Sequence, residues 1–237
     1  MTRSRPRPVR VLTLNTPRKS YLWAPRRQVP AIAKILNRRK VDVAAFQEVA
    51  SGGRAVWRSL GGWHVEPAPP NNVLRDGNEI GNLIVARRAL WNVLDEAEIP
   101  LPFPEERRTL HLAARLVKRR SDGFRMTVIA VHFPTLRSSS KEVRDRMNRI
   151  VSEYAERIPG PVVIAGDFND GDVRDNFPGF RVAAKDGIDQ ILVKGFKPER
   201  ASIIRKVKGG ITDHPSAVLA KLRPYRNPAR ARRLPKA

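Results

Sequence analysis

PVVIAGDFND, residues 161–170, is the stretch on which the reading of this chain turns. Val162 to Ala165 form a short apolar run between Pro161 and Gly166, the pattern of a buried strand. Its abrupt end delivers Asp167 and Asn169 to the strand tip, with Phe168 turned the opposite way. Gly, Asp and Asn also dominate ordinary turns for backbone reasons, so the segment taken alone reads equally well as a plain turn. The balance shifts because other strand ends in this chain also finish in an acid, an amide or a histidine.

Working outward, residues 9–14 alternate as a strand and end in Asn15. Residues 28–39 carry Val29, Ile32, Ala33 and Leu36 at helical spacing, with Pro30 tolerated in the first turn. Residues 41–46 form a second apolar strand that stops at Gln47 and Glu48. A short helix over 51–60, an edge strand over 63–66 and a surface loop over 67–79 follow. Strands are predicted over 81–87 and 90–99, with a loop over 100–108. Residues 109–118 and 124–131 make a hairpin that ends in His132. The spacing of Val143, Met147, Ile150, Val151 and Tyr154 predicts a helix over 138–157, closed by Pro159 and Gly160. Strands over 179–183, 187–193 (with Asp189 inside), 201–206 and 216–222 complete the chain, and Asp213 and His214 lie in the turn before the last. The organisation expected is a basic arm over 1–8, one domain over 9–222 and a basic tail over 223–237.

The 237 residues, 41% of them hydrophobic, suffice for one well-packed domain, and the absence of cysteine excludes disulfides and thiolate metal sites. No apolar run approaches the roughly 18 residues of a membrane span, and no secretory signal is evident, so a cytoplasmic monomer with no membrane partner is expected. The net charge is +23 with an isoelectric point near 11.5. Residues 1–10 hold four Arg and residues 221–237 seven basic residues, neither with an acid, so about half of the excess stays on the body. Such a field favours polyanions, and nucleic acid in particular, with DNA preferred and RNA open. Arg far outnumbers Lys, which genome composition also produces, and basic tails are often only solvated.

In an α/β protein, strand tips from distant segments meet in one crevice. Here the tips offer Asn15, Glu48, His132, Asp167, Asn169, Asp189, Asp213 and His214. Oxygen ligands with imidazoles and no thiolate suit Mg²⁺ or Mn²⁺ rather than a structural zinc, and the same set suits phosphoester hydrolysis. LNT at Asn15, QEV at Glu48, VHFPT at His132, GDFND at Asp167 and Asn169, IDQILV at Asp189 and TDHPSAV at Asp213 and His214 resemble, in order, the motifs of the endonuclease/exonuclease/phosphatase superfamily, which includes DNase I-like and exonuclease III-like nucleases. The resemblance covers about residues 9–220. It implies an α/β fold, a four-layer sandwich of two mixed β-sheets flanked by helices.

The resemblance also implies roles. Glu48 would be the principal metal ligand, with Asn15 and Asp213 assisting. His214 would act on the attacking water with Asp189 orienting its ring. Asp167 and Asn169 would contact the phosphate and water, and His132 would donate to the phosphate or leaving oxygen. Arg108 stands where the family often has an arginine near substrate, though a solvated arginine is the plainer reading. His64 and His111 read as structural or surface groups, Trp57, Trp63 and Trp91 as packing residues, and Tyr21 and Trp23 as a possible strand-binding rim. Gln190 departs from the aromatic or Arg common after the Asp. The function expected is a divalent-metal-dependent nuclease acting on DNA with low sequence preference. The alternatives are an RNase, a phosphoesterase on a small or lipid substrate, and an inactive nucleic-acid-binding protein.

Overall fold

Alternation along the strands sorts the chain into layers. In β1 (Val9–Asn15), Val9 and Val11 face one way and Leu12 and Leu14 the other. In β9 (Val162–Asp167), Val163 and Ala165 oppose Val162 and Ile164 in the same manner. Every residue of β9 is buried, as expected of a strand covered on both faces. The computed structural model describes residues 6–16, 24–50, 54–67, 72–73, 79–103, 108–135, 137–205, 214, 216–225 and 233–236.

Two mixed sheets result. The first contains β1, β2 (Val43–Ala50), β3 (Trp63–Pro67), β4 (Asn72–Val73), β5 (Glu79–Arg87), β12 (Phe196–Arg205) and β13 (Ser216–Pro224), in the order β12-β13-β1-β2-β5-β3 with β4 also on β5. The second contains β6 (Trp91–Phe103), β7 (Arg108–Arg119), β8 (Arg125–His132), β9, β10 (Arg181–Asp186) and β11 (Asp189–Lys194), in the order β10-β11-β9-β8-β7-β6. Each sheet has one parallel pair at its centre. The pair β1–β2 is bridged by α1 (Ala24–Arg38) and β8–β9 by α3 (Lys141–Glu156), so the carboxyl ends of four central strands lead to a shared crevice.

Small and β-branched residues fill the space between the sheets, among them Val11, Val43 and Ala45 from one and Val128, Ala130, Val163 and Ala165 from the other. Leu12, Leu14 and Phe46 meet α1 and α2 (Arg54–Arg58) on the first outer face, and Ile129 and Ile164 meet α3 on the second. The order of layers is therefore helix, sheet, sheet, helix, the sandwich that the resemblance implies. No helix among the described residues is long and apolar enough to cross a membrane.

Several elements differ from the sequence expectation. Helix α1 begins at Ala24, which leaves Pro30 inside the helix with its ring toward solvent; the APRRQ segment has no apolar period to announce it. Residues 100–103 continue β6 rather than forming a loop. Pro100 and Pro102 are tolerated there because β6 is the edge of its sheet among the described residues. Of the expected helix over 51–60, the described residues are helical over Arg54–Arg58, and residues 59–60 have left the helix. Trp57, Trp63 and Trp91 are all buried, as expected of packing residues.

Asp42 is buried where α1 turns into β2 and accepts the Arg10 N–H at 2.8 Å. Burial raises its carboxyl above the ordinary value, against the Arg10 N–H and the charges of Arg7, Arg119 and Arg10, which lower it. The folded state thus holds this proton more tightly than the unfolded state does. Its stabilising contribution is complete below the unfolded value of 3.8 and is lost as pH rises through the raised folded value. Asp42→Asn, which keeps an acceptor for Arg10, is expected to gain melting temperature relative to wild type as pH climbs from 3.8. Parallel melting curves from pH ~3 to ~7 would show that Asp42 titrates alike in both states.

Candidate active site

The inner-face parity of each strand continues to its tip. Asn15 follows Val11 and Thr13, His132 follows Val128 and Ala130, Asp167 follows Val163 and Ala165, and Asp189 precedes Ile191 and Val193. Each polar group therefore enters the seam between the sheets at the point where apolar packing stops. Asn15, Asp167 and Asp189 are buried, while His132, Glu48 and His214 are partly open.

Glu48 breaks this rule. Period two from Ala44 and Phe46 would turn it to the outer face under α1. Instead the register of β2 against β5 shifts between Phe46 and Val49, and Glu48 takes φ 55°. A bulge in the left-handed region costs a non-glycine residue about 1–3 kcal/mol. It swings the carboxylate into the crevice while Gln47 stays buried, accepting from Thr13 Oγ1 at 3.1 Å. Thr16 locks the same turn by donating its N–H and hydroxyl to the Gln47 carbonyl at 3.0 and 2.7 Å.

The side chains converge closely. Asn15 Nδ2 lies 3.4 Å from Glu48 Oε1, 3.1 Å from Asp167 Oδ2 and 3.3 Å from His214 Nε2. His132 Nε2 is 3.5 Å from Glu48 Oε1 and 3.9 Å from Asp167 Oδ2. His214 Nδ1 sits 2.7 Å from Asp189 Oδ2, and its Nε2 sits 3.5 Å from Asp167 Oδ2. Burial raises the Asp189 carboxyl above its ordinary value; the hydrogen bond and charge of His214 pull it down, while Asp167 and Asp186 push it up further. An acid held this way is best satisfied by a cationic or N–H-donating imidazole, which fixes the His214 ring with Nε2 toward the crevice.

Asn169 stands one step back. Its φ is 47°, its N–H donates to Asp167 Oδ1 at 2.8 Å, and its amide donates to the Phe133 carbonyl at 2.6 Å. Two further residues hold its turn, Arg144, which sequence reading did not single out, and Gln190, noted there only as a departure from the family pattern. Arg144, buried on α3, donates to the Asn169 carbonyl at 2.8 Å, and Gln190 donates to the Asp170 carbonyl at 2.7 Å. A sequence signal for Arg144 exists: it falls at i−3 and i−7 from Met147 and Val151, so a cation interrupts the apolar face of α3. Phe168 turns to the outer core, edge-on to Phe133 and Phe177 at 5.7 and 5.8 Å.

Asp213, Tyr21 and Trp23 lie outside the described residues, and of Arg108 only the backbone, opening β7, is described. His64 contacts the Trp91 carbonyl at 3.0 Å and His111 pairs with Glu98 at 3.1 Å, both away from the crevice.

The donors fit a hard divalent cation. Asn15 Oδ1 is buried with no hydrogen-bond partner among the described residues, beside the Glu48 and Asp167 carboxylates. Asp167, Asp189 and His214 also offer ligand atoms within 4.8 Å of one another, but Asp189 Oδ2 and His214 Nδ1 already engage each other. The oxygen-rich Asn15 side is therefore the better cation pocket, and the Asp189–His214 pair is the better proton handler.

The model of the Endonuclease/Exonuclease/phosphatase family matches residues 12–214. Among curated proteins none matches the sequence significantly. The fold is similar to that of an endonuclease/exonuclease/phosphatase from Bacteroides vulgatus (17% identity, TM-score 0.74, covering 92% of this chain and 99% of that one). It is also similar to D. rerio TDP2 complexed with a single-strand DNA product (14%, 0.68, 91% and 98%) and to a mannosyl-6-phosphatase from Bacteroides thetaiotaomicron (15%, 0.69, 90% and 99%). Members of the matched family are phosphoester hydrolases dependent on a divalent metal. With its ordered motifs gathered into one crevice, this chain belongs to the endonuclease/exonuclease/phosphatase family.

Proposed function

We propose that the protein is a Mg²⁺- or Mn²⁺-dependent phosphodiesterase that hydrolyses DNA with little sequence preference. The observation that carries the chemistry is the convergence of Asn15, Glu48, His132, Asp167, Asp189 and His214, each with a polar atom within 3.5 Å of another member of the set. The substrate class rests on the net charge of +23. The DNA-bound TDP2 neighbour has the same fold.

Glu48 and Asn15 Oδ1 would hold the cation, with Asp213 assisting. When bound, the cation polarises the phosphate and stabilises the leaving oxygen. His214 takes the proton of the attacking water at Nε2, and Asp189 holds the ring in the Nδ1–H form and stabilises the imidazolium. Asp167 accepts from that water, Asn169 and its turn align the phosphate, and His132 donates to a phosphate oxygen or the leaving oxygen.

Incubation with supercoiled plasmid and Mg²⁺ is expected to give nicked circles, and EDTA to prevent them. Glu48→Gln is expected to raise the Mg²⁺ concentration for half-maximal nicking by at least about tenfold. Nicking that persists in EDTA, or an unchanged Mg²⁺ requirement, would overturn the reading. The mannosyl-6-phosphatase neighbour makes small phosphomonoesters the competing class. Hydrolysis that is insensitive to salt and confined to such esters would decide for them, because polyanion cleavage weakens steeply with ionic strength.

A further inference from the structure

The strongest feature outside the crevice lies at the other end of the first sheet. A cleft of about 460 Å³ opens between the carboxyl end of α1 and strands β12 and β13, where Arg10, Arg38, Arg39, Lys40, Arg200 and Lys221 line it. Among the described residues Glu199 is the one acid on its wall, and it is paired with Lys221 at 3.0 Å and with Arg223. Arg10, Arg38, Arg39, Lys40 and Arg200 make no ion pair or side-chain hydrogen bond among the described residues.

Register makes the arrangement costly. Lys221 is directly opposite Arg10 on one side and Arg200 on the other, so three cations stand in a row across three neighbouring strands. Like charges directly opposite in a sheet destabilise it. Glu199, paired with Lys221, and Asp42, which feels the charge of Arg10, offset only part of that repulsion, and an anionic ligand would relieve the rest. The donors are side chains spread over a sheet and a helix end, four of them guanidinium forks suited to phosphate oxygens. Several cations strung along an open cleft suit successive phosphates rather than one enclosed ion.

We infer that this cleft is a second phosphate-binding site, which takes the sugar-phosphate backbone of a nucleic acid away from the point of cleavage. The inference rests on the reading of the protein as a nucleic-acid hydrolase. Arg10 and Asn15 are five residues apart on β1, a separation of about 17 Å along the strand. That is about five nucleotides at ~3.4 Å each, so only substrates longer than this engage both places.

The test compares the triple variant Arg38→Gln/Arg39→Gln/Arg200→Gln with Arg58→Gln/Arg149→Gln/Arg181→Gln, which removes the same charge from exposed positions outside the cleft. Binding of a labelled 20-base-pair duplex is measured in EDTA across a salt series, alongside hydrolysis of a duplex and of bis-p-nitrophenyl phosphate with Mg²⁺. The cleft variant is expected to bind about 10- to 100-fold more weakly at 0.1 M salt, with a salt slope shallower by about 2 to 3. Its hydrolysis of the small diester is expected to be unchanged. Equal weakening by the two variants, or none by the cleft variant, would overturn the inference. Failure of wild type to cleave DNA would instead strike the proposed function, because binding in EDTA is read separately.

Discussion

His214→Ala is expected to lower the rate of DNA hydrolysis by about 10²- to 10⁴-fold, the usual worth of a positioned acid–base group. The side chain contributes to the crevice through Nε2, and its orientation depends on the 2.7 Å contact between Nδ1 and Asp189. The two residues should therefore act as a unit. Asp189→Asn alone is expected to cost a large part of the same factor, while the double variant should be hardly slower than His214→Ala. Rates measured at saturating Mg²⁺, with folding checked by melting temperature, separate this from loss of metal or structure. Multiplicative losses in the double variant would mean that Asp189 and His214 act independently and that the pairing is only structural.

Gly166→Ala is expected to be the most damaging small substitution in the core. Gly166 pairs with Val131 in the parallel β8–β9 ladder, and a Cβ on it would fall 1.9 Å from the Val131 carbonyl oxygen and 2.8 Å from its carbonyl carbon. Backbone cannot yield as a flexible side-chain end can, so the strands must part. His132 and Asp167, the next pair in the ladder, would move with them. Overpacking of this kind costs about 3 kcal/mol or more. For a domain of this size that is a fall in melting temperature of about 6–12 °C. Activity should drop further than stability explains, since both displaced residues face the crevice. A melting temperature within about 2 °C of wild type would show that the sheets relax around the methyl group without parting.

Most of the fold and much of the site were legible in the sequence. The polar ends of the apolar strands marked Asn15, His132, Asp167 and Asp189 as tips in the sequence, and the packing of the two sheets shows that the parity of Val11, Val128, Val163 and Ile191 carries them onto a common inner face. Helix α3 announced itself by the spacing of Val143, Met147, Ile150, Val151 and Tyr154. Less visible were the proline-bearing end of β6, kept extended by its pairing with β7, and the start of α1, where no apolar period exists.

What only the tertiary structure decided is the aim of individual groups. Glu48 has the wrong parity for the crevice, and nothing local in QEV reveals that a bulge against β5 rotates it inward. Nor does sequence spacing show that Arg144 and Gln190, from a helix and a strand far apart in the chain, grip adjacent carbonyls of the Asn169 turn. Periodicity reports the face on which a residue stands, because that follows from its own backbone. Which way a bulged or left-handed residue points depends on partner strands, and those are fixed only when the sheets close.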